Sequence, residues 1–240
     1  MNEAIFQRWE LKYLVNERQR AALEQAFCGR MTPDFHGEST VCNIYYDTPD
    51  FRLIRQSLDK PVYKEKLRMR SYGPAAADQT VFLELKKKYQ GIVYKRRIEI
   101  RQDAAVKFLS GDAPLPVDSQ IGREIAYALK FYGNLAPAVH LSYDRQAFFA
   151  VDDPAVRVTF DRNICWRAGE LSLTAQPGGE DLLRPCQSLM EIKTGSAIPL
   201  WLVELLDAQG IRQTTFSKYG RAYESILNEK NQLKGSVICA

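Results

Sequence analysis

The sequence predicts an antiparallel α+β fold, most simply a closed β-barrel with helices packed on its outside. Three observations lead there. Segment after segment alternates charged and apolar residues with the period of two that a strand imposes. Most connections between those segments are too short for parallel crossovers. Between them lie amphipathic helices whose apolar stripes (Ile121, Ile125 and Leu129; Trp201, Leu202 and Leu205) need a surface to bury against.

Taken in order, Ala4 to Leu14 reads as a strand with Arg8, Glu10 and Lys12 on one face and Trp9, Leu11 and Tyr13 on the other. Asn16 is a helix N-cap with Gln19 as its capping-box partner. That helix runs to about Phe27 on an Ala22, Leu23, Ala26, Phe27 stripe, and Gly29 stops it. Thr32 to Ser39 is a polar loop. Thr40 to Tyr46 is a strand that ends in the turn cluster Asp47-Thr48-Pro49-Asp50. Phe51 to Ser57 is a short helix leading to a turn at Asp59-Lys60-Pro61. Tyr63 to Ser71 is the next strand. Val81 to Lys88 and Ile92 to Arg101 form a hairpin across Gln90-Gly91. A helix over Ala104 to Leu109 ends at Ser110-Gly111, and another over Ser119 to Tyr132 ends at Gly133. Strands follow at His140 to Ala150 and Val156 to Ile164, with a short one at Leu171 to Thr174. A glycine-rich loop over Gln176 to Asp181 precedes a strand at Ser188 to Lys193. The last helices cover Pro199 to Gln209 and a stretch after Phe216-Ser217-Lys218-Tyr219-Gly220 to about Asn228; from residue 229 the tail is expected to fray. No linker marks a boundary, so one domain is expected over residues 1–240.

With 240 residues, 45% hydrophobic and 26% charged, the chain can bury a substantial core. A formal charge of +4 hides local clustering and decides nothing about partners. The five cysteines (Cys28, Cys42, Cys165, Cys186, Cys239) are scattered, with neither a disulfide framework nor zinc spacing. They fit a reducing compartment, and a cytoplasmic protein is expected. Met1 to Glu10 lacks the apolar core of a secretory signal, and no run approaches the ~18 apolar residues of a membrane span.

The strand Tyr63 to Ser71 reads YKEKLRMRS and places Lys64, Lys66, Arg68 and Arg70 on one face. Such neighbours sit roughly 7 Å apart and, at an effective dielectric of 20, cost about 2 kcal/mol per adjacent pair if nothing answers them. Water, carboxylates or a bound anion can answer them. The pattern recurs in Arg8/Glu10/Lys12, Glu84/Lys86/Lys88, Arg157/Asp161 and Glu191/Lys193. Either these faces look outward around an ordinary apolar interior, or they look inward and leave the apolar faces to the helices. Period and composition leave both orientations open.

No phosphate-binding G-x-x-x-x-G-K-[ST] loop and no G-x-G-x-x-G appear. With two histidines, His36 in a polar loop and His140 at a strand start, a Ser-His-Asp or Cys-His engine has little support. Binding falls to Lys, Arg, Glu and Tyr. A nucleic-acid partner is not expected, because stacking aromatics would have to share the cationic face, and here they alternate onto the other one.

The ordered motifs RWELKY, YYDTPD, YKEKLRMRSYG, FLELKKK with YKRR, LSYDR, VRVTFD, LMEIKTG and FSKY, from about Gln7 to Tyr223, resemble the VTC domain of polyphosphate polymerases. That domain belongs to the triphosphate tunnel metalloenzyme (CYTH-like) superfamily. The resemblance implies a closed β-tunnel with inward charges and transfer of the γ-phosphoryl group of ATP to a growing polyphosphate chain. It implies phosphate-binding roles for Lys12, Arg68, Arg70, Lys86, Arg145, Arg157 and Lys193, with Lys66, which alternates with them, and Tyr143 of LSYDR beside them. It implies a divalent metal, manganese or magnesium, on Glu191, with Glu10 as a second candidate. Ser217, Lys218 and Tyr219 match the SKY segment, whose lysine sits by the terminal phosphate, so Lys218, Arg70 and Arg157 are the candidate catalytic residues. Partners would be ATP and inorganic polyphosphate, with a membrane protein as possible acceptor of the product. One departure stands out: tunnel triphosphatases open with E-x-E-x-K, and Arg8 here replaces the first glutamate. That substitution suits a polyanionic product better than triphosphate hydrolysis. A tunnel triphosphatase and a non-catalytic binder of polyphosphate or inositol polyphosphates are the alternatives.

Overall fold

A computed structural model describes residues 9–237 apart from 36, 91, 116 and 196. The expected strand start at residues 4–8 with Arg8, together with His36, Gly91 and Cys239, lies outside the described residues. The chain forms two compact units, each assembled from three separate segments.

The first unit comprises Met1–Thr40, Tyr143–Ile164 and Leu183–Phe216. It opens with β1 (Trp9–Asn16), which runs into α1 (Glu17–Ala26). The predicted capping box is present: the Asn16 side-chain Oδ1 accepts from the Gln19 backbone N–H at 2.8 Å, and the Gln19 Oε1 accepts from the Asn16 backbone N–H at 3.0 Å. Then come β2 (Met31–Pro33), the second part of β7 (Ala136–Ala150), most of β8 (Arg157–Arg167), β10 (Gln187–Thr194), α5 (Leu200–Ala208) and β11 (Gln213–Thr214). Strand β1 pairs antiparallel with β10 and β11, and β10 with β8. Their apolar sides, Tyr13, Val15, Val158, Phe160, Met190 and Ile192, are buried with Leu23 and Phe27 from the α1 region and Leu202 and Leu206 of α5. A Phe27, Phe148, Phe160 cluster with ring centroids 5.2 to 6.1 Å apart fills the middle.

The second unit comprises Val41–Ser142, Cys165–Leu182 and Ser217–Ala240. Strand β3 (Ser39–Asp47) ends at α2 (Arg52–Leu58), and β4 (Tyr63–Tyr72), β5 (Thr80–Tyr89) and β6 (Ile92–Arg101) form a meander. Helices α3 (Gln102–Ser110) and α4 (Gln120–Tyr132) follow; later come β9 (Glu180–Asp181) and α6 (Lys218–Val237). One face of β3 to β6, with Ile44, Leu67, Met69, Leu83, Leu85 and Ile98, is buried under Leu53 of α2, Phe108 and Leu109 of α3 and Ile125 of α4. In each unit helices cover the apolar side of the strands, and in the second unit the start of α6 lies by the cationic row, with Ser217 beside Lys66.

Hydrogen-bonded neighbours follow the path β11-β1-β10-β8-β7-β3-β4-β5-β6, with β2 attached to β7 and β9 to β8. This path has two ends, and among the described residues no ladder joins β6 to β11. The expected closed β-barrel is therefore corrected: the sheet is open. The sequence of the end strands gives the reason. Strand β11 has 2 residues and offers little ladder. Strand β6 carries Lys95, Arg96 and Arg97 in succession, and charge on an edge strand disfavours further pairing.

Three local expectations also change. Leu171 to Thr174 is a turn region rather than a strand, anchored where Leu173 is buried and its carbonyl accepts from the Ala75 N–H at 2.9 Å. A two-residue strand, β9, lies instead at the end of the glycine-rich loop. The last helix, expected to end near Asn228 ahead of a frayed tail, continues to Val237.

Candidate functional site

In the second unit the charged face is organised by the β4–β5–β6 register. Arg68 is opposite Glu84, and Glu84 is opposite Arg97. Glu84 is 1% exposed. Arg68 Nε donates to its Oε2 at 2.7 Å, Arg97 Nε to its Oε1 at 2.6 Å, Lys95 Nζ lies 2.9 Å from Oε1, and Arg70 Nε 3.9 Å from Oε2. Burial pushes this carboxyl up, yet Arg68, Arg70 and Lys95 outweigh it and hold it far below the usual carboxylate range. Burial also pulls the Lys95 ammonium down to about 8 against the pull of Glu84. The YKRR run divides by strand period: Lys95 and Arg97 reach Glu84, while Arg96 lies 3.4 Å from Glu124 on the helix-covered side.

Strand β3 orients the arginines. Asn43 Oδ1 accepts from Arg70 Nε at 2.9 Å, and the Tyr45 hydroxyl accepts from Arg68 Nη1 at 3.0 Å. Tyr45 stacks on Tyr219 with centroids 4.6 Å apart, and the Tyr219 hydroxyl donates to Asp47 Oδ2 at 2.8 Å. Asp47 also accepts the Leu53 and Ile54 backbone N–H groups at 2.8 and 3.0 Å, which caps α2. Two motifs far apart in the chain, YYDTPD and FSKY, are thus tied at a buried carboxylate. The tie places Ser217 and Lys218. Ser217 Oγ accepts the Gly220 N–H at 3.1 Å as the N-cap of α6 and lies 3.1 Å from Lys66 Nζ. Lys218, half-buried, is the first residue of α6, where the helix dipole favours an anion. Lys86 is opposite Lys66.

In the first unit, Lys12, Glu10, Glu191, Lys193, Arg145 and Arg157 share a face. Register sets Lys12 opposite Glu191, Glu10 opposite Lys193, and Lys193 opposite Arg157. Lys12 Nζ donates to the Phe216 carbonyl at 2.8 Å and lies 3.4 Å from Glu10 and 3.6 Å from Glu191. Lys193 and Arg145 each stand 3.7 Å from Glu191 Oε2. Arg145 is clamped by both oxygens of Asp161 at 2.6 and 2.7 Å and lies over the Tyr143 ring at 5.1 Å. Arg157 bonds Asp34 at 3.1 Å and covers the Phe149 ring at 4.8 Å.

The structure therefore gathers Glu10, Lys12, Tyr143, Arg145, Arg157, Glu191 and Lys193 in one unit, and Lys66, Arg68, Arg70, Lys86, Ser217 and Lys218 in the other. Sequence reasoning missed the orienting residues Asn43, Asp34 and the Asp47–Tyr219 pair. Asp161 had a signal, its alternation with Arg157; Asp34, in a loop, had none.

Glu10, on the strand of Lys12, and Glu191, opposite Lys12 on β10, flank it, and both are hard oxygen donors. Among the described residues no group of three or more His, Cys, Asp or Glu gathers. Two carboxylates fit an ion of the magnesium type, which takes one or two protein carboxylates and fills its shell with water and substrate phosphate.

The fold is shared with solved structures of low sequence identity. One is a provisionally named adenylate cyclase from Bacillus halodurans, at TM-score 0.54 and 16% identity, covering 88% of this chain and 95% of that one. Another, from Vibrio parahaemolyticus and similarly named, gives TM-score 0.51 and 16% identity over 92% of this chain and 97% of that one. The sequence is more specific. Residues 7–227 match the VTC domain model, and the chain belongs to that family, part of the CYTH-like triphosphate tunnel superfamily. Subunit 4 of the vacuolar transporter chaperone complex of Schizosaccharomyces pombe is 23% identical over 225 residues, an alignment covering 76% of this chain. The chain spans 31% of that relative's length. No helix among the described residues is long and apolar enough to cross a membrane.

Proposed function

We propose that this chain is a metal-dependent polyphosphate polymerase that transfers the γ-phosphoryl group of ATP to a polyphosphate chain. The observation that carries the reading is the convergence of Arg68, Arg70, Lys95 and Arg97 on the buried carboxylate of Glu84. One carboxylate fixes four cations in place, and rigid cations suit phosphoryl transfer, where positioning and charge neutralisation do most of the work. Arg68 and Arg70 would bind phosphate oxygens, preset by Glu84, Tyr45 and Asn43. Lys66, Lys86 and Ser217 would extend that contact, and Lys218 at the start of α6 would take the terminal phosphate. In the first unit Lys12, Arg145, Arg157 and Lys193 would bind phosphates, with Tyr143 supporting Arg145. Glu191 and Glu10 would hold manganese or magnesium, which when bound neutralises charge on phosphoryl oxygens. A membrane partner that accepts the product is compatible with this reading.

The test is incubation of the purified protein with ATP and manganese, followed by a gel stained for polyphosphate. Chains that lengthen with time are expected, and their synthesis should drop at least ~100-fold in Arg70→Ala, Glu191→Ala and Lys218→Ala. Phosphate release without chain growth would make the protein a triphosphatase. Tight polyphosphate binding without turnover, unaffected by Glu191→Ala, would make it a binder.

A further inference from the structure

Beyond the Arg68–Glu84 rung, the charged face of β4 and β5 changes character. Register sets Lys66 opposite Lys86 and then Lys64 opposite Lys88. Like charges directly opposite across a ladder are destabilising, so two successive lysine–lysine rungs need a reason. Lys64 has a local role, since its Nζ donates to the Ser57 carbonyl at the end of α2 at 2.8 Å. That bond fixes the ammonium near the others without removing its charge. Burial lowers the Lys64 pKa, and the nearby charges of Lys88, Lys86 and Lys60 lower it further. Lys88 is exposed on the same face.

We infer that Lys64 and Lys88, with Lys60 at the adjoining turn, form an outer subsite for linked phosphates, so that this face prefers long polyphosphate over triphosphate. The inference rests on the polyphosphate reading above. Lys64 lies four residues along the strand from Arg68, about 13 Å at strand rise, and successive rungs are roughly 7 Å apart. A single phosphate meets one rung. A linked chain laid along the strand meets the Arg68, Lys66–Lys86 and Lys64–Lys88 rungs together, and each contact adds to the next as intramolecular binding does.

The experiment compares tripolyphosphate with long-chain polyphosphate in binding titrations over a salt series, using wild type, Lys88→Ala and Lys64→Gln/Lys88→Ala. Lys88→Ala keeps the Lys64–Ser57 bond and guards against a folding defect, which a thermal melt checks. Long-chain affinity is expected to fall about tenfold in the double variant and less in the single one. Tripolyphosphate affinity should change less than twofold. The slope of log affinity against log salt should shrink by about one to two for the long chain, as expected when two cation–phosphate contacts are lost. Unchanged long-chain affinity, or an equal loss for both ligands, overturns the subsite while leaving the polyphosphate reading intact. A wild-type protein that binds neither ligand overturns both.

Discussion

Two buried ionisable side chains behave in opposite ways. Glu84 is surrounded by cations, so its charge is a fixed part of the folded state. His140 is fully buried, and neither ring nitrogen has a hydrogen-bond partner. Burial, with Arg167 nearby, lowers its pKa to about 4 from 6.5. A histidine whose folded pKa lies below its unfolded value binds fewer protons when folded. It contributes no penalty above pH 6.5 and costs progressively more as pH falls from about 6.5 to about 4. Over that window the loss sums to about 3 kcal/mol. The urea midpoint of wild type should therefore fall between pH 6.5 and 5 more steeply than that of His140→Phe; parallel curves would show that His140 titrates normally.

Among the elements, the start of α6 takes its position from a distant partner. Ser217 and Lys218 stand where they do because Tyr219 is buried and bonded to Asp47, which also caps α2. Tyr219→Phe removes the hydroxyl donor and leaves one buried carboxylate oxygen short of a bond. A destabilisation of about 1–3 kcal/mol is expected in urea denaturation. Chain synthesis should fall further than that loss of folded protein explains, because Lys218 is no longer held. The FSKY and YYDTPD motifs were both legible in the sequence, but the hydrogen bond joining them spans 172 positions, and no local pattern announces such a pair. By contrast, the Asn16–Gln19 capping box and the division of Lys95, Arg96 and Arg97 between faces follow from local rules, because caps and strand alternation act within a few residues.

For the molecule as a whole, the open path of the sheet makes a measurable claim. In a strand paired on one side, alternate backbone amides lack a ladder partner. Hydrogen exchange along Ile92–Arg101 should show slow and fast amides in alternation, the slow ones being those bonded to β5. Protection of both sets would mean that the outer side of β6 is paired and the sheet closed. The basic rows and most element positions were readable from alternation and turn signals. Those features are set by neighbours two to four residues apart, and one chain shows them directly. Which strands end the sheet, which four cations Glu84 answers, and that Asp47 holds Tyr219 were decided only by tertiary structure. Each depends on contacts between segments distant in sequence, where burial strengthens a charge or a hydrogen bond that would count for little in water.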